Sequence, residues 1–246
     1  VSDFNSTNYF LYRGEPMGFH YELLEAFSDH VGIDLELVSE NDLENAFDML
    51  NSGRCDILAM GLTITPQRMK ALQFTEPLDS TRQVLVQRKP GRRSGGPSSE
   101  TDILMEMTSG ELARKTVFVQ KGSVHAEWLS FVREQTGTHF RIVEVPFEAE
   151  TLIELVSKGE IDYTVCDEHV AEVNSGYYPG IDVSTVLSSH QQLAWAVRKS
   201  GSENLKEELD RWIRSYKKTK TYAILYSKYF RNPRGSLIFS SDYYAL

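Results

Sequence analysis

Cysteine is scarce in this chain, with only Cys55 and Cys166 among its 246 residues. The two lie far apart in the sequence, and each lies inside an apolar stretch. We therefore predict two buried free thiols rather than a disulfide, so the cysteines do not indicate a cellular compartment.

Long apolar runs are missing as well. No segment approaches the roughly 18 apolar residues that a membrane-spanning helix needs, and the first residues do not resemble a signal peptide. We therefore expect a soluble chain. Both ends look cut, because Val1 opens without a natural start and residues 243–246 end without a stop signal. This suggests a mature fragment of a longer protein.

Positive charge is in deficit, since 35 acidic residues against 26 basic ones give a net charge of −9. Such a balance repels nucleic-acid phosphates, and we expect no nucleic-acid partner. The one compact basic cluster contains Arg88, Lys89, Arg92 and Arg93, and residues 94–99 after it are serine, glycine and proline. That composition predicts a solvated loop.

Familiar catalytic motifs are absent too. The sequence contains no Gly-x-Ser-x-Gly elbow and no Gly-x4-Gly-Lys phosphate loop. Its six histidines form no His-Glu-x-x-His pair. We therefore expect no metal site, no cofactor and no catalysis by this chain.

The patterns that are present alternate between helix and strand. Apolar residues share one helical face over residues 21–31, and Gly32 can end that helix. Residues 33–38 then alternate as in a strand. A second helix begins at Asp42 and is followed by an apolar strand over residues 57–60. This order predicts an α/β fold.

One stretch of sequence occurs twice. Residues 49–57 (MLNSGRCDI) resemble residues 155–163 (LVSKGEIDY), and both place a glycine between a helix and a strand. The repeat suggests two similarly built lobes. Short apolar strands flanked by helices predict mainly parallel sheets, in which ligands bind beyond the carboxyl ends of the strands.

The division into lobes is predicted from two extended segments, residues 82–88 and 193–198, which we interpret as the crossings. One lobe then comprises residues 1–86 and 191–246, and the other comprises residues 87–190.

Candidate binding residues follow the predicted strands. After residue 60, Gly61 allows close backbone approach, Thr63 offers a hydroxyl, and Thr65 can cap a helix. Arg68 offers a planar guanidinium that can hold a carboxylate, although a surface ion pair explains it equally well.

Two further candidates lie in the second half. Gly122 and Ser123 precede a helix whose N–H groups could hold an anion, or they form a simple cap. Asp167 ends an apolar strand and could balance a ligand ammonium, or it could cap the helix that begins at Glu168.

Four ordered motifs resemble the periplasmic amino-acid-binding proteins of solute-binding family 3. They are residues 18–24 (GFHYELL), 61–68 (GLTITPQR), 74–78 (FTEPL) and 120–123 (QKGS). The resemblance covers nearly the whole chain. It implies a two-lobed periplasmic-binding-protein type II fold with two hinge strands and a small zwitterionic ligand.

The resemblance also implies roles for individual residues. Arg68 would hold the ligand α-carboxylate, with Gly61 and Thr63 beside it, and Asp167 would take the α-ammonium.

Other positions match the family less closely. Ser123 falls in the family's Gly-Ser-Thr turn, but Val124 stands where threonine is usual, which puts one hydroxyl contact in doubt. His125 occupies a position that reads the ligand side chain. Tyr9 or Phe10 falls where the family places an aromatic ring against the ligand.

More narrowly, residues 159–165, the segment 228–230 and the tyrosine-bearing tail 232–246 resemble the regulatory domain of membrane-bound lytic transglycosylase F. In such proteins a murein-cleaving domain follows. This chain lacks the Glu-Ser dipeptide of that domain, so it would be only the sensing part. The resemblance implies a periplasmic or outer-membrane-associated location.

The sequence leaves two alternatives open. One is a free receptor that delivers amino acids to an ABC transporter. The other is an enzyme acting on an amino acid, because related folds include dehydratase-like members.

Overall fold

The structure, a computed structural model, describes residues 1–89, 115–137 and 139–231. Two compact units divide it: the first holds residues 1–80 and the described residues from 191 onward, and the second is Thr81–His190. The predicted basic residues Arg92 and Arg93 lie outside the described residues. The predicted loop 94–99 and the tail 232–246 lie outside them too.

Helices and strands alternate along most of the described chain. In order they are β1 (Phe10–Tyr12), β2 (Glu15–Met17), α1 (Phe19–Val31), α2 (Leu43–Asn51), β3 (Ile57–Thr63), a 3-10 turn (Arg68–Lys70), β4 (Leu72–Phe74), β5 (Asp79–Thr81), β6 (Gln83–Arg88), β7 (Thr116–Gln120), α3 (Val124–Thr136), β8 (Arg141–Val145), α4 (Ala149–Lys158), β9 (Tyr163–Asp167), α5 (Glu168–Tyr177), β10 (Ile181–Val186), β11 (Gln191–Arg198), α6 (Glu203–Tyr216), α7 (Lys220–Tyr226) and a π-helical turn (Ser227–Arg231).

The sheets are mixed rather than mainly parallel. In the first unit β11 lies between β3 and β4 and runs antiparallel to both, because it re-enters this unit from the second one. In the second unit the strand order is β10-β6-β9-β7-β8. Among the described residues of that sheet, the β7–β8 and β7–β9 pairs are parallel, and the β10–β6 and β6–β9 pairs are antiparallel. The α/β class is confirmed, and the expectation of mainly parallel sheets is wrong.

The two segments interpreted as crossings are central strands. β6 pairs with β10 on one side and β9 on the other, and β11 pairs with β3 and β4. Their continuous apolar character reflects burial on both faces of a sheet. The chain passes between the units at Ser80–Thr81, where the lobe boundary was expected after residue 86, and at His190–Gln191, which is also where the lobe boundary was expected.

Two other local predictions are corrected. Residues 33–38 are not a strand, since the neighbouring Ser39 forms a single bridge to Ser2 and Ile33 is 68% exposed. The helix expected after Thr65 is only the 3-10 turn Arg68–Lys70, because β4 begins two residues later.

Helix ends follow the sequence closely. Gly32 ends α1 in the left-handed region, at φ 68°. The Asp42 side chain caps α2 by accepting hydrogen bonds from the amides of Glu44 and Asn45, at 2.9 and 3.1 Å. Both caps confirm the prediction.

The largest core of the first unit lies between α1 and the last helices. Residues of α1, α6 and α7 pack there around Trp195 of β11, which is fully buried. The apolar period over residues 205–216 and 221–229 predicts helices that pack on the first lobe, and this is confirmed.

Cys55 and Cys166 are both free, as predicted. Cys166 is fully buried, and burial raises the pKa of its thiol well above the ordinary value. Cys55 is only half-buried. Among the residues that the structure describes, no helix is both long and apolar enough to cross a membrane.

Candidate functional site

In the first unit, β3 brings three of the predicted site residues to one end of the sheet. Gly61 and the buried Thr63 lie near the carboxyl end of this strand. The Arg68 guanidinium turns back and donates a hydrogen bond from Nη1 to the Thr63 carbonyl, at 3.3 Å. Its backbone amide donates to the Thr65 hydroxyl at 3.2 Å, whereas the N-cap residue of the turn is Gln67.

Phe47 completes the setting of Arg68. The guanidinium carbon lies 5.5 Å from the centre of the Phe47 ring, within the range of a cation–π contact. A carbonyl and a ring face thus both orient the guanidinium. The sequence places Phe47 on the buried face of α2 but gives no sign of this contact.

A buried hydrogen-bonded pair stands behind Gly61. The Trp195 indole donates to His20 Nδ1 at 2.8 Å, and both side chains are buried. A Cβ on Gly61 would lie 3.5 Å from His20 Nε2 and 3.5 Å from Leu193 Cδ1. A Cβ at this position would therefore be in ordinary van der Waals contact with both side chains. Sequence reasoning missed the pair, because its members are 175 residues apart.

Tyr9 lies elsewhere in the first unit. Its ring packs against Phe4 and Tyr21, with centroid distances of 5.8 and 5.6 Å. It lines a cavity of about 420 Å³ beside α1, together with Tyr21, Glu25 and Asp29. That cavity contains none of the other predicted site residues. Phe10, the alternative aromatic, is buried in the core.

In the second unit, Asp167 and Ser123 reach the same edge of the sheet. Asp167 ends β9, Ser123 follows the end of β7, and these two strands are parallel neighbours. The carboxyl ends of parallel neighbours meet at one edge. The strand pattern therefore brings together two residues that the sequence separates by more than forty positions.

Both residues also occupy N-cap positions without using their side chains as caps. Asp167 precedes α5 and Ser123 precedes α3, and neither side chain makes a capping hydrogen bond. Within the described part of the chain, the buried Ser123 hydroxyl has no hydrogen-bond partner. Such an orphaned group has a desolvation cost that a bound ligand would relieve.

The remaining predicted residues of this turn lie in α3. His125 is buried in its first turn, and Val124 is buried beside it. Gly122 has φ 73°, and its amide donates to the Glu144 carboxylate at 3.2 Å. The chain therefore needs glycine at position 122 to make this turn.

A family model described as bacterial extracellular solute-binding proteins, family 3, matches residues 2–232. The chain belongs to solute-binding family 3. The resemblance predicted from the four motifs is thereby confirmed.

Solved structures of amino-acid-binding proteins share the fold of this chain. An ancestral arginine-binding protein bound to arginine superposes with a TM-score of 0.76 at 25% identity, covering 93% of this chain and 96% of that one. AbpA from Streptococcus pneumoniae, an amino acid ABC transporter substrate-binding protein bound to L-arginine, shares the fold with a TM-score of 0.74 at 21% identity, covering 94% of both chains. The predicted two-lobed α/β fold is confirmed.

Curated relatives point in a narrower direction. The chain is 33% identical over 230 residues to membrane-bound lytic murein transglycosylase F of Desulfosudis oleivorans, covering 94% of this chain and 48% of the relative. It is 29% identical over 201 residues to the protein of the same name from Idiomarina loihiensis, covering 82% of this chain and 42% of the relative. The chain thus spans about half the length of the curated relatives that it matches.

Proposed function

We propose that this chain is the sensing domain of a lytic murein transglycosylase, and that it binds an amino acid or a short cell-wall-derived peptide between its two units. The observation that carries the proposal is the 33% identity to a lytic murein transglycosylase of which the chain spans 48%. A family-3 domain covering one part of such a protein leaves the other part for catalysis.

Arg68 is the proposed anchor for the ligand carboxylate. Its planar guanidinium can bind both carboxylate oxygens, and such charge-assisted pairs are among the strongest hydrogen bonds in proteins. The Thr63 carbonyl and the Phe47 ring hold the group before a ligand arrives. This preorganisation lowers the entropic cost of binding.

Asp167 and Ser123 are the proposed contacts from the second unit. The Asp167 carboxylate would balance the ligand ammonium, and the Ser123 hydroxyl would gain a partner. Placing the two charge contacts on separate units makes a closed arrangement bind the zwitterion better than an open one. A ligand shifts a conformational equilibrium only through such a difference in affinity.

The proposal assigns no catalysis and no cofactor to this chain. Cleavage of murein would belong to a second domain of the same longer protein, located in the periplasm or at the outer membrane. The bound ligand would then report cell-wall turnover to that domain.

Calorimetric titration of the chain tests the binding proposal. The titrants are the twenty standard L-amino acids, tested singly, and purified muropeptides, each a disaccharide carrying a short peptide. We expect saturable binding of at least one titrant with one site per chain. Absence of heat across the whole set would contradict the proposal and leave a scaffold or protein-docking role.

A free amino-acid receptor is the second candidate. One observation favours it: the chain covers 96% of an ancestral arginine-binding protein. The length of the natural gene separates the two candidates. A gene that continues into a murein-cleaving domain supports the sensing domain, and one that stops after the family-3 region supports the receptor.

A further inference from the structure

The first residues of the second unit are clamped to the start of α5. Arg82 binds the Glu168 carboxylate in bidentate fashion: Nε donates to Oε2 at 2.8 Å, and Nη2 donates to Oε1. The Glu168 amide donates back to the Arg82 carbonyl at 2.8 Å. One residue earlier, the Thr81 hydroxyl lies 3.0 Å from His169 Nδ1. Two consecutive residues after the crossing are thus bonded to two consecutive residues of one helix.

The segment that leads back to the first unit, residues 187–188, is hydrogen-bonded to Gln83, the residue after Arg82. The Gln83 amide donates to the Ser188 hydroxyl at 2.9 Å, and the Leu187 amide donates to the Gln83 carbonyl at 2.7 Å. Ser188 lies two residues before the second crossing at His190–Gln191. Both passages of the chain between the units are therefore tied together inside the second unit.

The Arg82–Glu168 ion pair lies next to Asp167, the proposed contact for the ligand ammonium. Asp167 immediately precedes Glu168, and in the sheet it lies opposite Gln83. The helix start that carries Asp167 and the segment that leads to the crossing consequently form one bonded block.

We infer that Arg82 and Glu168 are positioning residues, which fix the direction of the first crossing relative to Asp167 without touching the ligand. The inference rests on the proposed function for its effect on affinity. Its effect on the ligand-free protein is independent of that function. Without this ion pair the backbone at Ser80–Thr81 would be less restricted in its direction. The two units would then sample more arrangements.

Its geometry distinguishes this pair from an ordinary surface ion pair. Exposed pairs contribute little, and their partners are free to separate. The Arg82 and Glu168 side chains are only 35% and 23% exposed, and the backbone bond between the same two residues holds them in register. Glu168 hydrogen bonding raises the pKa of Arg82, which agrees with a strong pair.

The chain supplies a matched control. Lys158 and Glu154 also form an ion pair in the second unit, and Glu154 is 23% exposed like Glu168. That pair joins two positions of a single helix, α4, and does not involve a crossing. Glu168→Gln and Glu154→Gln therefore remove the same charge from equally exposed sites.

Solution X-ray scattering of the whole ligand-free chain is the primary test. We expect Glu168→Gln to broaden the distribution of interatomic distances, while Glu154→Gln superimposes on the wild type. The double variant Arg82→Glu with Glu168→Arg should restore the wild-type curve, because the pair is re-formed in reverse. Arg82→Lys keeps the positive charge but loses the bidentate guanidinium. Its scattering curve should lie between those of the wild type and Glu168→Gln.

Ligand affinity gives a second readout with the twenty standard L-amino acids, tested singly. Whichever of them binds the wild type should bind Glu168→Gln roughly tenfold more weakly, a typical size for coupling between sites. If none of these amino acids binds the wild type, the scattering result alone decides this inference, and the proposed function fails only if the muropeptides do not bind either. A Glu168→Gln scattering curve identical to that of the wild type, or an equal change in the Glu154→Gln curve, would overturn the inference that Arg82 and Glu168 are positioning residues.

Discussion

Gly53 and Gly159 adopt the same left-handed backbone conformation, with φ angles of 77° and 79°. Each lies just after a helix, and the next-residue amides, of Arg54 and Glu160, donate to helix carbonyls five positions earlier at 2.9 and 3.0 Å. This is the Schellman pattern of helix ends. The short repeat visible in the sequence is therefore a repeated structural unit.

In each repeat, an arginine from a strand distant in sequence forms hydrogen bonds to the residues after the glycine. Arg198 donates to the Cys55 carbonyl at 2.6 Å and to the Asp56 carboxylate at 3.0 Å. In the second unit, Arg88 donates to the Ile161 carbonyl at 2.9 Å and to the Asp162 carboxylate at 2.6 Å. The aspartate of the repeat thus has a structural role in both units, which explains why it recurs with the glycine.

Replacing either glycine with alanine should destabilise the chain. A left-handed backbone costs a residue with a Cβ about 1–2 kcal/mol of free energy of unfolding. At Gly159 the new Cβ would lie 3.4 Å from Arg88 Nη1, whereas at Gly53 it would lie 3.9 Å from Arg198 Nη1. We expect Gly159→Ala to cost at least as much as Gly53→Ala in urea-induced unfolding.

Gly180→Ala is the matched control for both. A Cβ at Gly180 meets no heavy atom within 4 Å, and this glycine is not in the left-handed region. Its replacement should leave the free energy of unfolding nearly unchanged. Equal losses in all three variants would show that the left-handed turn is not the cause.

The fold could be predicted from the sequence wherever local chemistry decides the structure. The helix end at Gly32 and the cap at Asp42 depend only on neighbouring residues, and both are present. Sheet direction depends on where a distant strand inserts. β11 enters between β3 and β4 from beyond residue 190, and no local pattern records this. The mainly parallel sheets and the crossings at residues 82–88 and 193–198 were therefore predicted wrongly.

The same limit applies to the candidate site. Arg68, Thr63 and Gly61 lie within eight residues of one another, so the sequence alone could group them. The Phe47 contact with Arg68 and the Trp195 bond to His20 join separate elements, and neither has a sequence signal. Only the folded chain brings such partners together.

The His20–Trp195 pair gives a second prediction. Because His20 Nδ1 accepts the indole hydrogen bond, the neutral ring carries its proton on Nε2. Trp195→Phe removes the donor from a buried acceptor, which typically costs about 1–3 kcal/mol, with a further cost for the cavity. We expect a marked fall in the free energy of unfolding.

A double-mutant cycle separates the hydrogen bond from the cavity. His20→Phe alone, Trp195→Phe alone and the double variant are compared by chemical denaturation. We expect the double variant to lose less stability than the sum of the single losses, by about 1 kcal/mol. Strict additivity would mean that the bond contributes nothing.

Glu148 gives a prediction on pH. Its carboxylate caps α4 by accepting from the Thr151 amide at 3.3 Å, and burial raises the pKa of this carboxyl above its ordinary value. The folded state therefore holds the proton more tightly than the unfolded state does. The resulting stabilisation is present below the ordinary pKa of about 4.3 and is lost as pH rises through the folded value.

Glu148→Gln removes this ionisation but keeps an oxygen that can cap the helix. We expect the free energy of unfolding of the variant, relative to the wild type, to increase from pH 4 to pH 7. Urea unfolding at both pH values measures the difference. The exposed Glu134→Gln serves as the control and should show no such trend. If the free energy of unfolding of Glu148→Gln, relative to the wild type, decreased from pH 4 to pH 7, the predicted direction of the pH dependence would be wrong.

Thermal unfolding with and without ligand tests the central claim most directly. The wild type, Arg68→Ala and the control Arg133→Ala, an exposed arginine of α3, are each scanned against the twenty L-amino acids and the muropeptide set. A ligand at about 100 times its dissociation constant adds about 2.7 kcal/mol of stability. We predict a selective upward shift in the wild type and in Arg133→Ala that is lost in Arg68→Ala. A shift that persists in Arg68→Ala would contradict the carboxylate anchor, and no shift in any protein would contradict ligand binding itself.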